Sequence, residues 1–434
     1  METTDFLFIY RSIEAMMRIH LLKFKCIAIL CAGIAVSVPT LTRADWSIKT
    51  INADSMTTAF AINDSGQVIG GNWSSNNYSD IFRSFITGPN GIGINRIGSD
   101  DGDFFVSGIN ASGQVVGDYQ LKSDDSYHSF VTGPNGVGIT ELASIKVGAT
   151  NTPDINDSGQ IILNITSYDG KTGEPHLNAY IKNPDSPHLT SISMSNSATF
   201  FSVNAINASG QVVGYVGERD GVTGSGLTGA NGVGFTHLGT LGGNVTFSQD
   251  INIHGQVVGQ SDLSQQINQQ PHRGFVTGPN GENLMDLGSF GGGYYSSLSA
   301  ALAINDSGEV IGIFSTDAGQ HYSSSLYSHG GMTNLSLLDV VIQNGWSDIS
   351  VKDINNNGQI VGDGFHNNHR EVFLLSYTPD TIFNPVPIFI PDPNFNPPPP
   401  PPVPEPQTYL MMLAGCMMIW LTLKKRVRQR SLTI

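Results

Sequence analysis

The sequence predicts an all-β fold, a seven-bladed β-propeller closed by an N-terminal strand. Three observations predict it: a motif that recurs seven times at a spacing near 50 residues, four short strand-like runs within each recurrence, and a strand count that balances only if the chain closes on itself.

The motif reads AINDSGQVIG from Ala61, GINASGQVVG from Gly108, DINDSGQIIL from Asp154, AINASGQVVG from Ala205, DINIHGQVVG from Asp250, AINDSGEVIG from Ala303 and DINNNGQIVG from Asp353. Its isoleucines, Ile62, Ile109, Ile155, Ile206, Ile251, Ile304 and Ile354, are separated by 47, 46, 51, 45, 53 and 50 residues. A period of that size marks supersecondary units stacked in line or set around an axis.

Inside each unit, β-branched runs alternate with turn residues, and no stretch holds a helical period for two turns. A strand ending in Ile-Asn meets a tight NDSG or NASG turn. Asn and Asp there can bond their own backbone and the glycine can take positive φ, so a hairpin into QVVG is expected. A third strand is read in RSFITG at Arg83, HSFVTG at His128, NAYIKN at Asn178, RGFVTG at Arg273 and EVFLLS at Glu371. It usually runs into TGPNG, where proline fixes φ at the second turn position. A fourth strand follows as INRIG, ITELA, LTSIS, FTHLG, LMDLG or MTNLS.

Seven hairpins are followed by only six such fourth strands, because the last unit runs from FLLSYTP at Phe373 into a proline-rich segment. The seventh is DWSIKTI, Asp45 to Ile51, which precedes the first hairpin as each fourth strand precedes its successor. Pairing it into the last blade leaves no free edge there. Four antiparallel strands per repeat make a propeller blade, so residues 45–378 read as one seven-bladed ring.

The flanks carry different signals. From Met17, MRIHLLKFK and then CIAILCAGIAVSV form a basic segment and an apolar core of signal-peptide length, with Thr42 and Ala44 as the small residues a signal peptidase reads. Residues 1–44 are therefore expected to be a signal peptide cleaved after Ala44, with residues 1–16 a non-native leader. Residues 379–403 read as a semi-rigid polyproline spacer. Residues 408–423, TYLMMLAGCMMIWLTL, form an apolar run slightly short of the roughly 20 residues of a membrane helix. The basic tail after it, Lys424, Lys425, Arg426, Arg428 and Arg430, is expected to stay cytoplasmic and stop transfer, leaving the bulk of the chain outside.

Two resemblances rest on these residues. Val403, Pro404, Glu405 and Pro406, followed by the apolar run and the basic tail, resemble the PEP-CTERM sorting signal of Gram-negative bacteria. It implies processing by an exosortase-like membrane protease, a transient inner-membrane anchor and delivery to the cell surface or beyond. The hairpin motif, with LGTLGG at Leu238 to Gly243 and LGSFGGG at Leu287 to Gly293, resembles the HAF extracellular repeat, whose HAFLW segment becomes RSF, HSF, NAY and RGF here. That family implies an extracellular location and no particular chemistry.

Composition narrows the partners. Residues 45–423 hold 33 acidic against 11 basic residues, a surface that repels phosphate backbones, so nucleic acid is not an expected partner. The three cysteines, Cys26, Cys31 and Cys416, lie in the terminal apolar runs, which leaves no thiol in the repeats for a disulfide or a metal.

Candidate chemistry is sparse. Asp353, Asn355, Asn357 and Gly358 reproduce the opening of a calcium-binding EF-hand loop, but its twelfth position is Gly364 instead of a carboxylate. The sets Asp154, Asn156, Ser158, Gly159 and Asp250, Asn252, His254, Gly255 fail likewise at Ile165 and Ser261, so all three read as hairpin turns. His366 and His369 lack the glutamate of a helical zinc motif. Asp100, Asp101, Asp103, Asp124 and Asp125 read as loop caps. No nucleophile elbow, phosphate loop or dinucleotide fingerprint is present, so neither a catalytic residue, a metal site nor a cofactor is assigned. The expectation is thus a non-enzymatic surface or matrix module with a polysaccharide ligand, linked to exopolysaccharide or biofilm. The alternative is a polysaccharide-processing hydrolase or lyase whose carboxylates gather at the propeller channel.

Overall fold

The computed structural model describes residues 45–378 apart from short connecting segments. The signal peptide with Ala44, the spacer, the Val403–Pro406 motif, the apolar run, the basic tail and Asp124 and Asp125 lie outside the described residues. Seven four-stranded antiparallel sheets are present, as the repeat count predicts.

Strand β1 spans Asp45–Ile51. Blade 1 is β2 (Thr57–Ile62), β3 (Val68–Asn76), β4 (Ser79–Gly88) and β5 (Ile92–Ile97), and blade 2 is β6 (Gly102–Ile109), β7 (Val115–Leu121), β8 (Tyr127–Val131) and β9 (Thr140–Ile145). Blade 3 is β10 (Ala149–Ile155), β11 (Ile161–Tyr168), β12 (Pro175–Lys182) and β13 (Leu189–Ser191), and blade 4 is β14 (Ala198–Ile206), β15 (Val212–Glu218), β16 (Thr223–Leu227) and β17 (Thr236–His237). Blade 5 is β18 (Thr246–Ile251), β19 (Val257–Asp262), β20 (His272–Val276) and β21 (Met285–Asp286). Blade 6 is β22 (Leu298–Ile304), β23 (Val310–Ser315), β24 (Ser323–Ser328) and β25 (Gly331–Asn334). After the five-residue helix α1 (Asp339–Gln343), blade 7 is β26 (Trp346–Ile354), β27 (Ile360–His366) and β28 (His369–Thr378), completed by β1.

The closure matches the sequence expectation. β1 pairs antiparallel with β28 along its whole length, from Asp45 opposite Thr378 to Ile51 opposite Val372. Trp46 lies against its cross-strand partner Tyr377, with ring centroids 4.8 Å apart. Blade 7 also grips blade 1 through Thr58 Oγ1, which donates to the buried Asp363 carboxylate at 2.8 Å.

The core is divided among the seven blade-to-blade interfaces. Ile51, Val361, Val372 and Leu374 of blade 7 meet Ala59, Ile62, Val68 and Phe85 of blade 1. Ile69, Ile86 and Ile97 of blade 1 meet Phe104, Val106 and Phe130 of blade 2. Five further clusters seal the remaining junctions in turn. Apolar residues on both faces of each blade explain why the strands read as β-branched runs rather than a clean alternation.

Every first strand carries a bulge near its end, as between Val106 and Gly108 or Val351 and Asp353. The glycine of QVVG sits beside it: a Cβ on Gly117 would lie 2.0 Å from the carbonyl oxygen of Phe105. The glycine of the preceding turn has positive φ in all seven copies, for example 73° at Gly66. The sequence therefore encodes both turn and bulge.

Candidate functional site

The first strands of successive blades adjoin around the ring, and hydrogen bonds tie together the turns that end them. Each motif asparagine holds its own turn: Asn63 Oδ1 accepts from Gln67 N at 3.0 Å. Its amide reaches onward. Asn63 Nδ2 donates to Asn110 O at 3.0 Å, Asn110 to Asn156 O, Asn156 to Asn207 O and Asn207 to Asn252 O. Asn252 continues to Asn305 O and Asn305 to Asn355 O, and Asn355 returns to Asn63 O at 2.9 Å. Seven side chains and seven carbonyls thus close one hydrogen-bonded ring.

The turn aspartates behave differently from the expectation that they bond their own backbone. Asp64 Oδ1 accepts from Asn356 N of blade 7, Asp157 Oδ1 from Ala111 N of blade 2, and Asp306 Oδ1 from Ile253 N of blade 5. They are ties between blades.

A third set faces the channel. The residue before the motif isoleucine is aspartate in blades 3, 5 and 7 and alanine or glycine elsewhere. Each of these aspartates accepts one N–H from its own strand and one from the next blade. Asp154 accepts from Ile155 N at 2.7 Å and Ile206 N at 3.1 Å, and Asp250 from Ile251 N at 2.7 Å and Ile304 N at 2.9 Å. Asp353 accepts from Ile354 N and Ile62 N, both at 2.8 Å.

Although each residue is only half-buried, its carboxyl is enclosed by the inner strands, and that loss of hydration raises all three. Asp154 is pushed up to about 8, against the pull of the Ile206 N–H and with added repulsion from Asp250 and Asp353. Asp353 is pushed up to about 7 by burial and by Asp250, and Asp250 to about 6 by burial against its two N–H bonds.

The structure disperses the other sequence candidates. Asn355 Oδ1 accepts from Asn357 N and Gln359 N, so the calcium-like segments spend their side chains on the turn. His366 stacks on Trp346 and meets Glu371 Oε2 at 2.7 Å in the β27–β28 hairpin. Asp100 pairs with Arg96 and Arg83, and Arg96 chiefly holds it below the ordinary carboxylate range. The Ser99 hydroxyl does the same for Asp101. Asp103 Oδ1 accepts from Phe82 N at 2.7 Å. Among the described residues no three His, Cys, Asp or Glu side chains gather as metal ligands.

No protein-family model matches the sequence, and no curated protein is similar to it. Solved structures do share its fold. The β-propeller domain of the Trilobed protease from Pyrococcus furiosus, described as having an open velcro topology, aligns over 74% of this chain and 97% of its own, with 10% identity and a TM-score of 0.53. Pyrococcus horikoshii acylaminoacyl peptidase aligns with 9% identity and a TM-score of 0.54, over 74% of this chain and 51% of its own. An acylaminoacyl peptidase in complex with Z-Gly-Gly-Phe-chloromethyl ketone gives the same identity and score over 52% of that chain. The chain spans about half the length of these acylaminoacyl peptidases.

At this identity the likeness establishes the propeller fold. It also corrects the non-enzymatic expectation. That reading rested on near-identical repeats with no unusual polar constellation, yet the same architecture occurs in peptidases, and three buried carboxyls sit on the innermost strands of alternate blades. The reading of a binding or structural module that is not an enzyme is withdrawn.

Proposed function

We propose that this chain is an exported hydrolytic enzyme that cleaves an extracellular polysaccharide, with Asp154, Asp250 and Asp353 as its proton-transfer groups. One observation carries the reading: on alternate blades, at one motif position, Asp154, Asp250 and Asp353 each hold a carboxyl enclosed between backbone N–H groups of two blades, and burial raises all three. Glycosidic cleavage asks for a carboxyl that holds its proton beside one that has lost it. Asp154 fits the acid and Asp250 the base, with Asp353 poised between them. The paired N–H bonds fix each carboxyl in place, so little reorganisation is needed at the moment of transfer.

The sequence of the flanks supports an exported setting. The signal-peptide pattern, the HAF-like repeats, the polyproline spacer and the PEP-CTERM-like arrangement of Val403 to Pro406, apolar helix and basic tail all fit surface delivery by an exosortase-like protease. Among the described residues no helix is long and apolar enough to cross a membrane, and the proposed anchor lies outside them.

The test is turnover of a polysaccharide panel by the full chain. The expected pH profile is a bell with limbs near 6 and 8. Asp154→Ala and Asp250→Ala should abolish turnover while remaining folded, since blades 1, 4 and 6 carry Ala61, Ala205 and Ala303 at this position. No turnover on any substrate, or unchanged turnover in both variants, overturns the proposal.

A further inference from the structure

In a repeat protein the fold-bearing pairings recur at every junction, so a pairing found at one junction alone answers to something other than the fold. Trp73, on β3 of blade 1, has Gln120, Thr166, Gly217, Asp262 and Ser315 at the matching place in blades 2 to 6, and Phe365 in blade 7. Phe105, on β6 of blade 2, corresponds to Thr58, Asn151, Ser202, Phe247, Ala300 and Ser350 in blades 1 and 3 to 7. Only at the junction of blades 1 and 2 do both positions carry aromatics, and both are exposed, Trp73 at 49% and Phe105 at 39%.

The two rings belong to one platform across the blade 1–blade 2 junction. Phe82, buried beneath, stacks on Phe105 with centroids 4.6 Å apart and meets Trp73 edge-on at 5.2 Å, while Trp73 and Phe105 lie 6.3 Å apart. Asp103, two residues before Phe105 on β6, holds the backbone of Phe82 through Oδ1.

We infer that the Trp73–Phe105 platform is a sugar-stacking subsite for an uncharged glycan, a reading that rests on the polysaccharide substrate proposed above and extends it to a second place on the ring. The electron-rich ring faces attract the C–H groups on one side of a pyranose. Two exposed rings offer far less than the roughly 800 Å² per partner of a stable protein interface, so a sugar fits where a second protein would not. The acidic balance of the chain, 36 acids against 21 basic residues, selects against anionic glycans.

The experiment is calorimetric and fluorescence titration of the full chain with cellohexaose, maltohexaose and mannohexaose, with an oligogalacturonate as the anionic control. At least one neutral hexasaccharide should bind and shift the tryptophan emission, and the oligogalacturonate should bind at least tenfold more weakly. Trp73→Ala and Phe105→Ala should each weaken binding tenfold or more, whereas Trp73→Phe should keep most of the binding and lose the emission change. Binding measured in Asp154→Ala separates the two readings: if it persists where turnover is absent, the platform stands whatever becomes of the channel. The inference is overturned if no neutral hexasaccharide binds, if both alanine variants bind like the parent, or if Trp73→Ala instead dissolves a self-associated form seen by sedimentation.

Discussion

Gly108 and Asp154 are fitted to one another across the junction of blades 2 and 3: a Cβ on Gly108 would stand 3.0 Å from both Cα and Oδ1 of Asp154. Blade 2 is the only blade with glycine at this motif position, and blade 3 is the neighbour whose acid reaches past it to Ile206. Gly108→Ala is therefore expected to lower stability by about 1–2 kcal/mol through overpacking. Because part of the clash is with the Asp154 side chain, the loss should shrink in an Asp154→Ala background. A double-mutant cycle by denaturant unfolding reads this as a coupling of about 0.5 kcal/mol or more; strict additivity would contradict the fit.

The raised channel acids set a pH dependence whose sign can be worked out. Each binds its proton more tightly folded than unfolded, so between the ordinary carboxylate value of 3.8 and the folded values of about 6, 7 and 8 the folded state holds more protons. Stability is then greatest in mild acid and falls as pH rises through that window. Melting at pH 5 and at pH 8 should show a higher Tm in acid. The Asp154→Ala, Asp250→Ala, Asp353→Ala triple variant should flatten the difference, and an undiminished slope would remove these groups as its cause.

Closure of the ring gives a third expectation. Removing Trp46 through Ile51 strips β28 of its partner and uncovers Leu374, Val372 and Val361. The truncated chain should unfold at a much lower temperature, in one transition. Ile51→Ala is the milder probe: the side chain is 2% exposed, and its truncation should cost about 2–5 kcal/mol. A Tm unaltered by the deletion would contradict the closure.

The asparagine ring predicts that position matters little and completeness matters much. Asn355→Ala leaves the buried Asn63 carbonyl without its side-chain donor and frees the turn N–H groups of Asn357 and Gln359. The Asn63 carbonyl keeps its bond from Gly66 N, so the loss is that of hydrogen bonds, about 0.5–1.5 kcal/mol each. Asn252→Ala, on the far side of the ring, breaks the same set of bonds and should lose a similar amount. Melts of both variants check this.

Sorting is testable apart from the fold. Replacing Glu405 by Ala, or deleting KKRVRQR, should leave the protein in the inner-membrane fraction rather than at the surface. Cell fractionation reads the outcome, and unchanged surface delivery in both would end the exosortase proposal.

Much of this architecture was legible because repetition amplifies weak signals. One NDSG turn is ambiguous; seven, each followed by glutamine or glutamate and two β-branched residues, specify hairpins and their number. The third strands of blades 4 and 6 escaped notice because TGSGL and SSSLYS hold glycine and serine where other blades have aromatics. Neighbours on both sides pair them into strands regardless. Helix α1 lies in an insertion between blades and has no counterpart in the repeat.

The channel acids were in view for the wrong reason. Asp154, Asp250 and Asp353 open segments that resemble calcium loops but lack the closing carboxylate, at Ile165, Ser261 and Gly364, and the sequence reads them as hairpin turns. What mattered was the alternation of aspartate with alanine and glycine at one motif position, together with its place on the innermost strand. Their distances across the ring belong to tertiary structure, as do the reach of Asp64 to Asn356 and the closeness of Trp73 to Phe105, which lie 32 positions apart in the chain.

Seven is an odd number, and acids placed on every second blade cannot go round an odd circle without a fault. Blades 3, 5 and 7 carry them, which leaves blades 1 and 2 as adjacent members without one. Those two blades lack an acid at this one motif position, and the Trp73–Phe105 platform lies at their junction. Parity alone breaks the rotational equivalence of the blades, so anything entering along the axis meets an inside with a definite compass direction.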